Sequence, residues 1–219
     1  MNGALFTYEK DHAAELEEYR SAGGAEEAAN GAPLKNAVVF MGKMNYQPNV
    51  DAALWYLKNV HPKVCDRVPF VIVGAYPTEE VRKAAAGLKN VTVTGFVKDP
   101  YLYVSAAMAA AAPMQSGGGI QNKVLEGMAL GKVNLVSKLA ADALEGLDGE
   151  RELILADRPE DYIRILRDMK KAMKDRKRPV PLKENTADPE TGKQPGKRLY
   201  DYDAIGKAAK EYIRARYTW

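Results

Sequence analysis

Between residues 38 and 173 the chain repeats one unit, a short apolar run followed by a longer segment, and few architectures accept that pattern. The runs are 38–42, 70–74, 91–93, 108–112, 133–136 and 153–155. Apart from Thr92 and Asn134 they carry no polar side chain, as expected of strands buried on both faces of a parallel sheet. Segments 49–60, 79–88, 101–107, 120–130 and 159–173 read as helices, with Pro77 and Thr78 as a start signal for the second. The expected fold is α/β: a doubly wound, six-stranded, mostly parallel, Rossmann-like sheet with helices on both faces and right-handed crossovers. Ligands of such sheets bind beyond the carboxyl ends of the strands, where Gly42, Gly74, Gly95 and Gly117 to Gly119 fall.

The flanks read differently. Residues 1–33 hold one expected helix, 11–20, and a Gly- and Ala-rich linker over 21–32. Residues 34–177 form the expected Rossmann-like domain. Residues 178–219 begin with a Pro- and Lys-rich stretch, expected to be an exposed, mobile loop, and end with a helix over 203–214. No stretch reaches the roughly 18 apolar residues of a membrane span. No targeting signal is read at Met1 to Phe6, and the single cysteine, Cys65, excludes an internal disulfide, so a reducing, cytoplasmic location is expected. The net charge of +3 is too small to imply nucleic acid as a partner. Lys170, Lys171, Lys174, Arg176, Lys177 and Arg178 read as a solvated helix end.

Residues 116–131, Ser-Gly-Gly-Gly-Ile-Gln-Asn-Lys-Val-Leu-Glu-Gly-Met-Ala-Leu-Gly, carry the chemistry. Glycines let backbone amides approach a ligand closely, and a helix start adds free N–H groups and the positive end of its dipole, so an anion fits there. Lys123 and Glu126, at i and i+3, share one helix face. A carboxylate repels phosphate but suits sugar hydroxyls, which points to a nucleotide or nucleotide-sugar. The competing reading is a flexible loop before a core helix with solvated charges. Asn45, Tyr46 and Asn49 line the same expected crevice, although Asn49 also reads as a helix N-cap, and Lys43 reads equally as a solvated loop residue. His12 and His61 are isolated and read as non-catalytic.

The ordered motifs Val39-Phe40-Met41-Gly42-Lys43-Met44, Pro48-Asn49-Val50-Asp51, Val71-Ile72-Val73-Gly74, Val93-Thr94-Gly95-Phe96-Val97-Lys98-Asp99 and Gly117 to Gly131 resemble one family. It is the retaining, glycogen-synthase-like group of GT-B-fold glycosyltransferases, of the bacterial surface-polysaccharide type, and the match is to their C-terminal, nucleotide-sugar-binding domain. The final Arg216-Tyr217-Thr218-Trp219 fits the same resemblance. It implies that Glu126 binds the ribose hydroxyls and that Lys123 and Lys43 stand near the diphosphate. It further implies that Gly117, Gly118, Gly119 and Ile120 cradle diphosphate or sugar through their backbone. Phe96 and Val97 would meet the base, besides packing at the core edge. No metal and no cofactor are implied, since the nucleoside-diphosphate sugar is a substrate.

Departures from the family pattern matter too. A second glutamate usual eight positions before the ribose-binding one is replaced by Gly118, and a basic residue after the first strand is replaced near Asn49. Asn134 puts an amide into an expected buried strand and needs a partner there. The resemblance implies half of a hexosyl-transferring enzyme. A glycan or lipid-linked acceptor would be held by a missing N-terminal GT-B domain, with peripheral contact at the inner face of the membrane. Catalytic acceptor-side residues are then absent, and the isolated chain is expected to be inactive. The alternatives are a non-catalytic nucleotide-sugar-binding or scaffold module, and a sugar-nucleotide epimerase-like enzyme.

Overall fold

The computed structural model describes residues 3–22, 34–147, 151–174 and 200–217. Its centre is a six-stranded, all-parallel sheet of β1 (Val38–Met41), β2 (Phe70–Val73), β3 (Val91–Val93), β4 (Ala109–Ala112), β5 (Asn134–Val136) and β6 (Ile154–Leu155). The strand order is β3-β2-β1-β4-β5-β6, the doubly wound sheet expected. Each strand begins and ends within one residue of its apolar run.

The helices are α1 (Tyr8–Asp11), α2 (Ala13–Ala22), α3 (Gln47–Asn59), α4 (Glu79–Ala86), α5 (Pro100–Ala106), α6 (Asn122–Ala129), α7 (Lys138–Ala141), α8 (Pro159–Lys174) and α9 (Tyr202–Arg216). Two differ from expectation. The N-terminal helix is split at His12, which caps α1, and the single turn α7 lies in a stretch that sequence reading left without a helix. The expected linker beyond Ala22 and the expected loop over 178–198 lie outside the described residues, as do Arg176, Lys177 and Arg178.

From β1 the chain winds outward to β2 and β3, then returns to the middle to form β4 and winds the other way. Right-handed crossovers therefore put α3 and α4 on one face and α6 and α7 on the other. Burial on both faces explains why the strands carry no polar alternation: all four residues of β2 and of β4 are buried. The β4 strand is made of four alanines, so little side-chain volume separates the helices from the sheet centre. Gly127 of α6 lies against β5, where an added Cβ would stand 2.4 Å from Asn134 Oδ1. Asn134 finds its partner, for its Nδ2 donates to Lys132 O at 2.9 Å. The α8 helix buries Tyr162, Ile165, Leu166 and Met169, the i, i+3, i+4, i+7 stripe of an amphipathic helix. Tyr162 meets Tyr56 edge to face, and Tyr56 stacks on Phe70 at the start of β2.

Both flanks close onto the α5–α6 side. The α2 helix packs on α5 with Tyr19 edge-on to Tyr103, and Arg214 of α9 lies over the Phe6 ring at 5.0 Å. The α9 helix, capped by Asp201 accepting from Ala204 N at 2.9 Å, docks on α6 through Gly206. A Cβ at Gly206 would stand 2.3 Å from the Gly131 carbonyl oxygen. In an exposed helix, glycine to alanine gains roughly 0.5–1 kcal/mol. Here backbone must yield, so Gly206→Ala is expected to reverse that sign and destabilise by about 1–3 kcal/mol in urea unfolding. A stabilised variant would mean that α9 is not tightly seated on α6.

Candidate functional site

The winding direction reverses between β1 and β4, so their exit loops diverge and open a crevice between them. On the β1 side the backbones crowd. A Cβ at Gly74, just past β2, would fall 1.8 Å from Gly42 O, and Gly42 itself faces Asn49 Nδ2 at 2.6 Å from its would-be Cβ. No larger residue fits between them. The expected N-cap role of Asn49 is corrected here: Tyr46 holds the cap position, α3 starts at Gln47 with Pro48 in its first turn, and Asn49 is buried inside the helix. Its amide does something else. Nδ2 donates to Lys43 O at 2.9 Å, and Oδ1 accepts from Lys123 Nζ at 2.8 Å.

The exit of β4 is the glycine loop. Gly117 has φ +96° and packs against Pro48, whose Cβ lies 3.3 Å from the position of an added Cβ, with Tyr46 Oη at 3.8 Å. Gly119 also lies in left-handed territory, at φ +79°, whereas Gly118 keeps an ordinary backbone and faces open space. The loop thus folds over the start of α3 and leaves Gly118 and Gly119 exposed. It runs two residues further than expected. Ile120 and Gln121 precede α6, and the Val124 and Leu125 amides close onto Gln121 O.

From the first turn of α6, Lys123 reaches the crevice floor instead of solvent. Besides Asn49, its ammonium donates to Gln121 Oε1 at 3.1 Å, lies 3.6 Å from Met114 Sδ and sits 5.5 Å from the centre of the Phe40 ring. Burial lowers its pKa to about 8, and the nearby Glu126 opposes that shift. One turn on, the half-buried Glu126 is held above the usual carboxylate range by burial, with Tyr101 and Lys123 pulling it back. Tyr101 Oη donates to Glu126 Oε1 at 3.2 Å, and its own pKa is pushed up to about 12 by burial and by Glu126. Sequence reading missed Tyr101. The one local signal was the Asp99-Pro100 helix start just before it.

The remaining candidates scatter along the crevice rim. Lys43 has an exposed side chain and enters the site through its carbonyl. Val97 is half-buried against the core, but Phe96 is 78% exposed, which corrects the expectation that it packs at the core edge. The left-handed Gly95, at φ +71°, turns the chain away from the sheet there. Phe96 follows β3, three inter-strand steps or roughly 14 Å from β4. His61 is structural: it is fully buried, and its Nε2 lies 2.7 Å from Lys89 O.

An open, all-parallel sheet with its crevice at the strand-order reversal defines a Rossmann-like α/β domain. Within that class, the sequence profile described as Glycosyl transferases group 1 matches residues 35–171, and the chain belongs to that family. No curated protein matches it. Among solved structures, it is similar to a glycosyltransferase from Rickettsia africae, with 12% identity, TM-score 0.65 and coverage of 100% of this chain and 51% of that one. It is similar to Anabaena HepE, crystallised with UDP and glucose, with 12% identity, TM-score 0.60 and coverage of 93% and 48%. WaaG, a glycosyltransferase involved in lipopolysaccharide biosynthesis, follows at 16% identity and TM-score 0.56, covering 93% and 48%. The chain spans about half the length of these three structures, and a third of TarM, to which it is also similar.

Two lysines make stability depend on pH. Lys123 and Lys132 are both lowered by burial to about 8 in the fold, against 10.5 for an ordinary lysine. Between pH 8 and 9.5 the unfolded chain keeps protons that the fold has released, so stability rises with pH, by about 1.4 kcal/mol per pH unit for each group. Lys123→Met is expected to halve that slope in urea titrations between pH 7 and 9.5. Equal slopes in both proteins would mean that the Lys123 ammonium is hydrated.

Proposed function

We propose that this chain is the donor half of a group 1 glycosyltransferase, binding a nucleoside-diphosphate sugar for transfer of a hexosyl group to a glycan or lipid-linked acceptor. The observation that carries this reading is the pairing of Lys123 and Glu126, one turn apart on α6, at the strand-order reversal beneath a glycine loop. Lys123 supplies an ammonium at the floor, Lys43 stands on the loop that leaves β1, and negative charge builds on the diphosphate as the bond from the anomeric carbon to its oxygen breaks. The acceptor oxygen forms the new bond to the anomeric carbon, and its proton passes to the departing nucleoside diphosphate. Glu126 accepts from the ribose hydroxyls. Gly117, Gly118, Gly119 and Ile120 offer backbone to diphosphate or sugar, while Phe96 and Val97 receive the base. No metal or cofactor enters this scheme.

Support comes from the family and from the crevice edge. HepE has been crystallised with UDP-glucose, and a single-residue mutant of TarM with Fondaparinux, alpha-GlcNAc-glycerol and UDP. Among the described residues, the exposed large hydrophobic side chains are Tyr46, Tyr76, Phe96, Ile120, Leu139 and Leu155, one at or beyond each strand's carboxyl end in turn. Such a row along one edge suits a face covered by another domain, here the acceptor-holding one. We propose a cytoplasmic activity, with peripheral contact at the inner membrane face where the acceptor is lipid-linked. A binding-only module is the second reading, favoured by Gly118 at the usual position of a glutamate.

Calorimetry with UDP, GDP and ADP tests the donor site, with micromolar to millimolar affinity expected for at least one of them. Binding draws a proton onto Lys123, so affinity is expected to fall as pH rises through about 8, with proton uptake measurable from the buffer dependence of the heat. Glu126→Gln is expected to weaken binding by about 1.5–3 kcal/mol at unchanged melting temperature. No heat with any of the three on folded protein refutes the reading. Transfer is expected with a supplied acceptor domain and not from these 219 residues alone. Binding without transfer in the joined protein would favour the binding-only module.

A further inference from the structure

The N-terminal segment lies outside the 35–171 family match, yet it is wired to Glu126. Tyr8 Oη donates to Asp99 Oδ2 at 2.6 Å. The other oxygen of that carboxylate, Oδ1, accepts from Tyr101 N at 2.9 Å and so caps α5. The Tyr8 ring meets the Tyr101 ring edge to face, at 6.0 Å and 75°, and Tyr101 Oη then donates to Glu126 Oε1. Every link is a hydrogen bond or a ring contact, and the side chains that take part are buried or half-buried. Tyr8 is held in turn by its stacking on His12 at 4.0 Å, and the neighbouring Phe6 by Arg214 of α9. With Oε1 engaged by Tyr101, the carboxylate is held in one orientation.

We infer that Tyr8 and Tyr101 are positioning residues for Glu126, making the N-terminal segment a working part of the donor site. The inference rests on the reading that Glu126 meets the ribose. Removing the Tyr101 hydroxyl frees the carboxylate to rotate and takes away a donor that favours its ionised form. Removing the Tyr8 hydroxyl loosens Asp99 and, through it, the first turn of α5. The charged and titratable groups bearing on Glu126 are Lys123 on its own helix, Tyr101 on α5 and, one contact away, Asp99.

The test uses carboxyl-carbon NMR of the full chain labelled at glutamate, with Glu126→Gln to assign the resonance and the amide spectrum to verify folding. Tyr101→Phe is expected to move the Glu126 titration upward by about half a pH unit or more, and Tyr8→Phe by less in the same direction. UDP affinity at pH 7 is expected to fall about five- to tenfold in Tyr101→Phe and about two- to threefold in Tyr8→Phe. A Glu126 titration unmoved by Tyr101→Phe overturns the inference, as does UDP affinity equal to wild type in both variants. A moved titration in a protein whose wild type binds no nucleotide upholds the positioning and refutes the ribose role instead.

Discussion

The Asn49 side chain joins the two halves of the sheet at the point where they part. Its amide nitrogen holds the loop leaving β1, and its amide oxygen holds the lysine on the helix that follows β4. Loops that leave neighbouring strands toward opposite faces have no backbone ladder to set the gap between them, so a side chain must do it. Glycines at 42 and 74 let the strands' ends come close enough for one amide to reach both. Being neutral, this amide accepts from the Lys123 ammonium without adding a second charge beside it.

That arrangement carries a cost in stability, to which the buried Lys132 and the left-handed Asn90, at φ +59°, add at the amino ends of the strands. A buried ammonium, a desolvated carboxylate and a left-handed Tyr76, at φ +58°, all lie at or near the carboxyl ends of the strands. The opposite side of the ledger is ordinary packing: aromatic stacking of Tyr56 on Phe70, the apolar stripe of α8 and tight glycine contacts under α6 and α9. Functional sites commonly violate local rules, and the crevice holds three such violations.

Local packing signals and long-range polar contacts differ in how far they can be read from the chain. Strands of a parallel sheet advertise themselves by short, mostly apolar runs, so all six are legible to within one residue, the partly exposed edge strands β3 and β6 included, and the glycines mark the crevice edge. Contacts between distant residues were not legible. Asn49 looked like a cap because a cap needs local information alone, while its actual partner Lys123 is 74 residues away. Tyr101 passed unnoticed because Glu126 lies 25 residues on. Phe96 was misread as partly packed because hydrophobicity reports what a side chain prefers and not what is present to cover it. The turn α7 is too short to leave a periodic trace.

The four alanines of β4 act as a thin spacer at the middle of the molecule. Because α6 follows this strand and carries both Lys123 and Glu126, the thickness of the spacer sets how high those groups stand relative to the loop that leaves β1. A bulkier β4 would lift the helix, and protein interiors transmit such displacements because they are packed without slack. Crevice geometry in this chain is therefore adjustable from inside the core, by side chains that no ligand touches, and related chains with different residues at these four positions would hold the same polar groups at a different gauge.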